Sequence, residues 1–334
     1  MASDNKIRVH FKSNHADPDS FPPTIEGESV FAITKERFDN AIESYPDLKN
    51  KIEPIFDWDL ENFYESMKTA EVLVCWDFPT ENLAEIAPKL RWIHIIGAGV
   101  EHLCPMDWVP EHVSVVNNRG VHSAKAGEFG LMSVLMLHTH IPEIIQNQQN
   151  KHWESLYSSP ILGKTLLVIG TGNIGHAAAK KCKLLGMKVI GVSRHGMPLE
   201  GVDQMVKVDK LDEVLPAADY IFMSTPNTTE TFNLLDKRRQ SLMKPGLGIV
   251  NVGRAATMDY DALVENLNSG HIKAAIIDVF DPEPLPSNSI LWDTPNLMVM
   301  PHISADDGDT YIPLTLELVL MNMQRYIADE KLNN

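Results

Sequence analysis

A glycine-rich turn between a strand pattern and a helix pattern constrains this chain more than any other feature. The aliphatic residues 166–169 run directly into the turn, and a helical pattern follows from His176 to Leu185. The turn reads Gly170-Thr171-Gly172-Asn173-Ile174-Gly175. In this setting the first glycine permits a tight turn, the second lets a pyrophosphate approach the backbone, and the third lets the helix pack closely on the strand. We therefore predict that residues 170–175 bind a dinucleotide. A glycine-rich loop without function does not account for the next strand, which ends where a ribose-binding residue belongs.

Short apolar segments alternate with helical patterns in both halves of the chain, which indicates parallel sheets covered by helices. In the first half the strand candidates are Ile7–Phe11, Val72–Trp76, Trp92–Ile96 and Val113–Val116. In the second half they are Thr165–Ile169, Lys188–Val192, Tyr220–Ser224, Leu247–Val252, Ala274–Asp278 and Leu297–Met300. The six strand candidates of the second half suit a dinucleotide-binding fold.

Two domains are expected because one hydrophobic core stops growing beyond roughly 250–300 residues, and this chain has 334 residues. We predict an α/β protein with two Rossmann-like domains, each built on a parallel sheet. Residues 1–118 form a substrate-binding domain, residues 119–303 a dinucleotide-binding domain, and residues 304–334 a C-terminal segment. The helix predicted at Pro313–Ile327 returns to the first domain, which is therefore discontinuous.

Two further segments connect these elements. The Pro- and Asp-rich residues 13–27 are predicted to form a loop, because their prolines block regular structure. A helix from Ser123 to about His140 is expected to lead the chain into the second domain and to break or restart at Pro142.

Charge and cysteine content exclude several classes of protein. With 29 basic and 45 acidic residues, the formal charge of −16 repels phosphate backbones and anionic lipids, so we expect no binding to nucleic acid or membranes. An anionic substrate would then need a locally placed cation. The three cysteines are odd in number and widely spaced, which fits neither a disulfide framework nor a zinc cluster, and no metal site is predicted. The first residues lack the apolar core of a signal peptide, so a cytoplasmic protein is expected.

The strand pattern Lys188–Val192 indicates which dinucleotide is bound. An NAD-specific site usually places a carboxylate at the end of this strand, where it binds the adenosine 2′-hydroxyl and repels a 2′-phosphate. Here the strand ends in Ser193 and Arg194, and a guanidinium can bind phosphate through two parallel hydrogen bonds. We predict that NADPH is preferred over NADH, with NAD as a second coenzyme. The alternative is that Arg194 is an ordinary solvated arginine.

Three functional side chains follow the last three strand candidates. They are Arg254, Glu283 and His302. Taken singly, each could be an ion-pair partner or a helix cap. Since ligands of open α/β sheets bind at the carboxyl ends of the strands, a common site is the better interpretation.

These residues lie in motifs that resemble the D-isomer-specific 2-hydroxyacid dehydrogenases, a family that includes glyoxylate and hydroxypyruvate reductases. The matching segments are Leu162-Gly163-Lys164-Thr165 before the glycine turn, Asn251-Val252-Gly253-Arg254, Asp278-Val279-Phe280-Asp281-Pro282-Glu283-Pro284 and Pro301-His302-Ile303-Ser304. Earlier in the chain, Gly97-Ala98-Gly99-Val100-Glu101 is similar to the family's substrate-carboxylate loop. The resemblance implies a homodimeric enzyme that reduces a small 2-keto acid, of the glyoxylate or hydroxypyruvate type, to the D-2-hydroxy acid.

The resemblance also implies a catalytic role for each strand-end residue. His302 would give a proton to the keto oxygen while hydride passes from the nicotinamide to the adjacent carbon. Glu283 would orient the imidazole and favour its protonated form. Arg254 would bind the substrate carboxylate, and so supply the local cation that the negative chain requires.

Further contacts complete the site that the resemblance implies. The substrate carboxylate would also be bound by the backbone N–H groups of Ala98, Gly99 and Val100. Asp278 would face the nicotinamide carboxamide. Additional cofactor contacts are predicted at Thr225, Pro226 and Val252.

Two rival functions stay open at this point. The C-terminal binding protein corepressors resemble the same family and keep its catalytic residues while they act as dinucleotide-sensing scaffolds. A structural protein that only binds a dinucleotide would have no reason to align the three strand-end side chains. Formate-oxidising relatives carry glutamine at the position of Glu283, and phosphite-oxidising relatives carry a lysine near Ala98; neither is found here. Ala255 replaces the glycine that commonly follows the family's arginine.

Overall fold

The computed structural model describes residues 6–18 and 20–334 and divides the chain into two compact units. The first unit comprises Met1–His122 and Asp307–Asn334, and the second comprises Ser123–Asp306. Each unit contains a parallel sheet with helices, and the first unit is discontinuous because the chain returns to it at Asp307. The predicted fold class is therefore confirmed.

The described residues form twelve strands and eleven α-helices. The strands are β1 (Ile7–Ser13), β2 (Ile52–Trp58), β3 (Val72–Cys75), β4 (Trp92–Ile95), β5 (Ser114–Asn117), β6 (Thr165–Ile169), β7 (Lys188–Ser193), β8 (Gln204–Lys207), β9 (Tyr220–Met223), β10 (Leu247–Asn251), β11 (Ile272–Ile277) and β12 (Leu297–Val299). The helices are α1 (Ile25–Phe31), α2 (Lys35–Ile42), α3 (Phe63–Met67), α4 (Leu83–Ile86), α5 (Ser123–His138), α6 (Ile141–Gln149), α7 (Asn173–Leu184), α8 (Leu211–Val214), α9 (Lys237–Ser241), α10 (Tyr260–Ser269) and α11 (Tyr311–Ile327). Short 3-10 turns cover Glu101–Leu103, Met106–Trp108, Val208–Lys210, Leu215–Ala217, Ala255–Thr257 and Ile290–Asp293.

The sheet of the first unit has the strand order β2-β1-β3-β4-β5, and every pairing is parallel. Both faces of this sheet are buried, because successive side chains of β3 point to opposite faces and enter two different hydrophobic cores. Val72 and Val74 enter one hydrophobic core, whereas Leu73 and Cys75 enter another. The first of these cores also contains the apolar face of α11, which is why the C-terminal helix belongs to this unit.

The sheet of the second unit has the order β12-β11-β10-β9-β6-β7-β8 and is again parallel throughout. The order of strand addition reverses at β6, because the chain continues to β7 on one side and later to β9 on the other. Ligands of open α/β sheets bind beyond the carboxyl ends of the strands at such a reversal. The glycine turn follows β6 directly, so this topology places residues 170–175 at the ligand-binding edge.

Two edge strands were not predicted. β2 contains Pro54, which lacks the N–H that a central strand needs and is tolerated at the edge of a sheet. β8 is a four-residue edge strand without a fully buried side chain, so it lacks the apolar run that marks the central strands. Consequently the second sheet has seven strands in the described residues rather than six.

The connecting segments agree with the sequence only in part. The loop prediction for residues 13–27 is wrong at both ends: β1 includes Ser13, and α1 begins at Ile25 because the hydroxyl of Thr24 accepts a hydrogen bond from the helix. The helix predicted from Ser123 to about His140 is α5, and Pro142 lies in the first turn of α6, where proline is tolerated. No helix in the described ranges is both long and apolar enough to cross a bilayer.

Candidate active site

The three glycines of the turn at 170–175 occupy three different environments. Gly170 has a φ of +91°, and a methyl group there would lie 2.9 Å from the backbone carbonyl carbon of Ser224. Gly172 caps α7, and nothing lies within 4 Å of the position that its methyl group would take. A methyl group on Gly175 would lie 2.0 Å from the carbonyl oxygen of Gly170, so the close approach of helix and strand requires glycine. The open side at Gly172 leaves room for a diphosphate to approach the backbone N–H groups at the start of a helix.

The glycine turn packs against residues that follow β9, and these in turn pack against residues that follow the neighbouring strand β10. Thr225 follows β9, is buried, and carries a hydroxyl without a hydrogen-bond partner among the described residues. Its backbone packs against Gly253 beyond β10, where a methyl group would lie 2.5 Å from the Thr225 carbonyl oxygen. Val252 is buried and donates its N–H to the carbonyl of Met223, whereas Pro226 is exposed. A buried hydroxyl that no protein group satisfies is expected beside a polar ligand, so these residues fit a dinucleotide.

The residues predicted to select the dinucleotide lie at the end of β7. The hydroxyl of Ser193, the last residue of the strand, accepts a hydrogen bond of 3.0 Å from the N–H of Gly196 and closes a tight turn. Arg194 is exposed in this turn, and its charge acts on Glu230. Lys207, the last residue of β8, pairs in register with Ser193 and is also exposed. Sequence reasoning missed Lys207 because it missed β8.

Arg254, Glu283 and His302 follow three adjacent strands, β10, β11 and β12, at one edge of the sheet. Glu283 and His302 are in contact, since Oε2 of the carboxylate lies 2.7 Å from Nδ1 of the imidazole. The other carboxylate oxygen accepts the N–H of Phe280 at 2.6 Å. The side chains of Glu283 and His302 are 35% and 47% exposed, so a ligand in solution can reach the imidazole. Because the carboxylate engages Nδ1, Nε2 is the nitrogen that can face a substrate.

The charges around the imidazole favour its protonated form. Burial lowers the pKa of His302, but the hydrogen bond and charge of Glu283 and the charge of Asp278 outweigh it, so this pKa is raised. Burial raises the pKa of Glu283, but the hydrogen bond and charge of His302, a backbone N–H and the charge of Arg254 bring it below its ordinary value. The two side chains therefore form an imidazolium–carboxylate pair over a wider pH range than isolated side chains would.

His302 has a backbone φ of +56°, in the left-handed region that residues other than glycine rarely adopt. The buried carboxylate of Asp278 holds the turn that follows. Its two oxygens accept the N–H groups of Ile303 at 2.9 Å and of Ser304 at 3.0 Å. Asp278 thus anchors the segment that carries the imidazole, and its contact with a nicotinamide carboxamide stays a prediction.

The charges of His302 and Asp278 act on Asp306, a residue that sequence reasoning did not select. Burial raises the pKa of its carboxyl to about 6; the charge of His302 lowers this pKa, and that of Asp278 raises it. The only sequence signal for Asp306 was its position in the segment that begins at His302. In the described part of the chain, no group of three or more His, Cys, Asp or Glu side chains is arranged to hold a metal ion.

The predicted substrate-carboxylate loop follows β4 in the first unit. The carbonyl oxygens of Gly97 and Ala98 accept hydrogen bonds of 3.0 and 2.9 Å from residues 117–118. Since each peptide group is planar, the N–H groups of Ala98 and Gly99 point away from these carbonyl oxygens and their partners. The ring of Trp76 packs on Gly97, where a methyl group would lie 2.3 Å from it. The loop therefore has a fixed backbone with N–H groups turned away from the strand end.

Comparisons identify proteins that this chain is similar to. A family model described as D-isomer specific 2-hydroxyacid dehydrogenase, NAD binding domain, matches residues 131–304, more than half of the chain. A hydroxypyruvate reductase of Thermotoga maritima is 30% identical over 249 residues, covering 72% of this chain and 79% of that protein. A D-3-phosphoglycerate dehydrogenase of Mycobacterium tuberculosis is 31% identical over 225 residues, covering 67% of this chain and only 42% of that protein. A similar solved structure is that of a D-isomer specific 2-hydroxyacid dehydrogenase from Xanthobacter autotrophicus Py2 in complex with NADPH and MES. The two chains are 25% identical and superpose with a TM-score of 0.81. The match covers 99% of this chain and 97% of the Xanthobacter autotrophicus chain.

Proposed function

Because this chain belongs to the D-isomer specific 2-hydroxyacid dehydrogenase family, we propose that it reduces a small 2-keto acid to the D-2-hydroxy acid with a nicotinamide dinucleotide. The observation that carries the proposal is the 2.7 Å contact between Glu283 and His302 at the sheet edge where the glycine turn lies. Substrates of the glyoxylate or hydroxypyruvate type are proposed because the similar Thermotoga maritima protein is a hydroxypyruvate reductase.

The proton of the reaction comes from His302 in this proposal. The protonated imidazole donates Nδ1–H to Glu283, which leaves Nε2–H to protonate the keto oxygen. Loss of that proton leaves a neutral imidazole that keeps its bond to the carboxylate. A bound dinucleotide supplies the hydride that the carbonyl carbon receives. Since the pKa of His302 is raised, the proton donor persists to higher pH than an isolated histidine would.

Arg254 binds the substrate carboxylate and polarises the keto group in this proposal. A guanidinium pairs with a carboxylate through two parallel hydrogen bonds. The charge of Arg254 acts on both Glu283 and His302, which puts a cation beside the proton donor. Such a cation offsets the repulsion that a chain of charge −16 exerts on an anionic substrate. The N–H groups of Ala98, Gly99 and Val100 stay proposed ligands of the same carboxylate.

NADPH is the preferred coenzyme in this proposal. Arg194 and Lys207 place two cations beside Ser193, where an NAD-specific site has a carboxylate. The similar Xanthobacter autotrophicus structure contains NADPH. Replacing Arg194 by alanine should raise the KM for NADPH about tenfold or more, since a hydrogen bond to a charged group is lost. Adding Ser193→Asp should then reverse the preference, and a wild-type protein that uses NADH better would contradict this assignment.

The activity is tested by NADPH oxidation with glyoxylate, hydroxypyruvate, pyruvate and longer 2-keto acids. His302→Ala should lower kcat by about 10²–10⁴-fold, the usual contribution of a general acid, while the Kd for NADPH stays unchanged because the glycine turn is intact. His271→Ala is the matched control, because His271 precedes β11 at the opposite end of the sheet. Wild-type turnover in His302→Ala would refute the proton-donor role. Dinucleotide binding without reduction of any keto acid would favour the second candidate, a corepressor-like dinucleotide sensor.

A homodimer is proposed from the surface of the second unit. Trp153, Tyr157 and Leu184 are 95%, 89% and 85% exposed, although large apolar side chains favour burial. The same unit has an apolar groove whose lining includes Leu131, Met132, Leu135, Met136 and Leu184. In a two-fold symmetric dimer, the exposed apolar side chains of each copy would pack into the apolar groove of the other copy. Light scattering should give the mass of two chains, Leu184→Glu should weaken the association, and a monomeric wild type would contradict the proposal.

A cytoplasmic location is proposed from the state of the cysteines. Cys75, Cys104 and Cys182 are free thiols, of which Cys104 is exposed. Free thiols persist in reducing compartments, whereas oxidising compartments favour disulfides.

A further inference from the structure

One peptide group connects the Glu283–His302 pair to a tyrosine outside it. The carbonyl oxygen of Val279 accepts a hydrogen bond of 2.6 Å from the hydroxyl of Tyr260. The N–H of Phe280 belongs to the same peptide group and donates to Oε1 of Glu283, also at 2.6 Å. Because a peptide group is planar, its C=O and N–H point in opposite directions, and fixing one fixes the other.

We infer that Tyr260 is a positioning residue for the Glu283–His302 pair and acts through the peptide group between Val279 and Phe280. Its hydroxyl holds the carbonyl, so the N–H stays directed at one carboxylate oxygen while the other oxygen stays on the imidazole. The hydrogen bond to the carbonyl also polarises the amide, which strengthens its N–H as a donor. This inference rests on the proposed function, in which the pair supplies the proton.

The same hydroxyl is tied to the loop that carries Arg254. The side-chain amide of the buried Asn251 donates to the Tyr260 oxygen and to the carbonyl oxygen of Arg254, both at 3.4 Å. The amide oxygen of Asn251 accepts the N–H of Gly253 at 3.0 Å. A phenol hydroxyl has a single proton to donate. Because the Tyr260 oxygen accepts a hydrogen bond from Asn251, its own proton is free to be donated to the Val279 carbonyl. Tyr260 therefore joins the loops that follow β10 and β11.

The phenol remains protonated in these surroundings. Burial raises the pKa of Tyr260, and the negative charges of Glu283 and Asp278 raise it further against the hydrogen bond from Asn251. The hydroxyl therefore stays a donor across the pH range in which the pair works. The charged groups that act with the His302 imidazole are Glu283, Asp278, Arg254 and Asp306.

The test is Tyr260→Phe, which removes the hydroxyl and keeps the ring beside Phe280. We expect kcat for keto-acid reduction to fall about two- to tenfold, the range of one neutral hydrogen bond, with an unchanged Kd for NADPH. Since Glu283 raises the pKa of His302, a less firmly held carboxylate should lower that pKa by roughly half a unit. The high-pH limb of the reductive profile should move to lower pH by the same amount.

Tyr220→Phe is the matched control for the lost hydroxyl. The Tyr220 hydroxyl bonds to Nδ1 of His138 at 2.8 Å, and Tyr220 begins β9, so it lies at the end of the sheet away from the site. Neither kcat nor the pH profile should change in this variant. A change of equal size in both variants would overturn the inference, because it would mean that any lost phenol hydroxyl in this unit has the same effect.

Titration of the imidazole by NMR separates this inference from the proposed function. The His302 resonance, assigned by its absence in His302→Gln, reports the imidazole pKa without any substrate. A wild-type titration in Tyr260→Phe would overturn the inference even if turnover fell, because a damaged fold also lowers turnover. A protein that shows the pKa shift but reduces no keto acid would refute the proposed function and support the positioning role.

A double variant tests the route of the effect. If Tyr260 acts through the carboxylate, Tyr260→Phe should cause no further change in the pKa of His302 once Glu283 is replaced by glutamine. The same half-unit shift in both backgrounds would show that Tyr260 does not act through Glu283, and the inference would be wrong.

Discussion

Replacing Gly175 by alanine should distinguish the folding role of the glycine turn from its binding role. The added methyl group would lie 2.0 Å from the carbonyl oxygen of Gly170, 2.6 Å from the hydroxyl of Ser224 and 2.9 Å from a methyl group of Val168. All three distances are shorter than 3.0 Å, a separation below which real Cβ contacts are essentially never seen. The nearest atom belongs to the backbone and cannot rotate away, so α7 has to move relative to β6.

The size of the effect follows from two opposing contributions. Overpacking costs about 1–3 kcal/mol, and we take about 3 kcal/mol because the backbone is involved. Alanine is about 1 kcal/mol more favourable than glycine inside a helix, so the substitution also stabilises the folded state by about that amount. The net loss is therefore about 2 kcal/mol, which for a domain of this size corresponds to a melting temperature lower by about 4–8 °C.

Gly172→Ala is the matched variant for measuring binding. Nothing lies within 4 Å of the added methyl group, and the φ of −71° suits alanine, so the melting temperature should fall by less than about 3 °C. The methyl group would, however, occupy the space proposed for the diphosphate, and the Kd for NADPH should rise at least about tenfold. Thermal melting without ligand and calorimetric NADPH titration measure the two effects. Equal stability losses in both variants, or normal NADPH binding by Gly172→Ala, would refute the reasoning.

Two further predictions concern titration. Glu283→Gln removes the charge that raises the pKa of His302, so the high-pH limb of the reductive profile should move to lower pH by about one unit, and an unmoved profile would contradict the pairing. Burial lowers the pKa values of His10, His94 and His122 from the ordinary 6.5 to about 4. As the pH falls, these histidines are protonated in the unfolded chain before they are protonated in the folded protein. The free energy of unfolding should therefore fall as the pH drops from 6.5 to 4. Urea titrations should show that each histidine lowers the free energy of unfolding by about 2 kcal/mol between pH 7 and pH 5. The decrease should be smaller in His94→Gln. Equal free energies of unfolding at the two pH values would contradict this account.

The glycine turn could be found in the sequence because its physical requirements are local. A tight turn, an open backbone and a close helix contact are met by residues 170–175 themselves. The strand ends could be grouped for a related reason, since buried parallel strands are continuous apolar runs whose carboxyl ends meet at one edge. Arg254, Glu283 and His302 could therefore be assigned to one edge before any distance was known.

Other features of the site depend on contacts that no local pattern encodes. The edge strand β8 has one neighbour and does not need an apolar run, so its basic residue Lys207 was missed with it. Asp306 was missed because its pKa depends on burial and on the charges of His302 and Asp278. Tyr260 was missed because the hydroxyl bonds a carbonyl nineteen residues along the chain, in a loop whose path only the fold determines.

The backbone of His302 shows how much such distant contacts contribute. A left-handed conformation outside glycine costs about 1–3 kcal/mol. Each of the two N–H bonds that the following residues donate to Asp278 contributes about 1.5–3 kcal/mol, because the acceptor is charged. These two bonds oppose the cost of the left-handed backbone at His302. Burial raises the pKa of Asp278, whereas the hydrogen bonds from Ile303 and Ser304 lower it. Asp278 therefore holds the backbone next to His302, as we infer that Tyr260 holds the Glu283 carboxylate through a peptide group. In both cases the partner is distant in the sequence, so no local pattern reveals the contact.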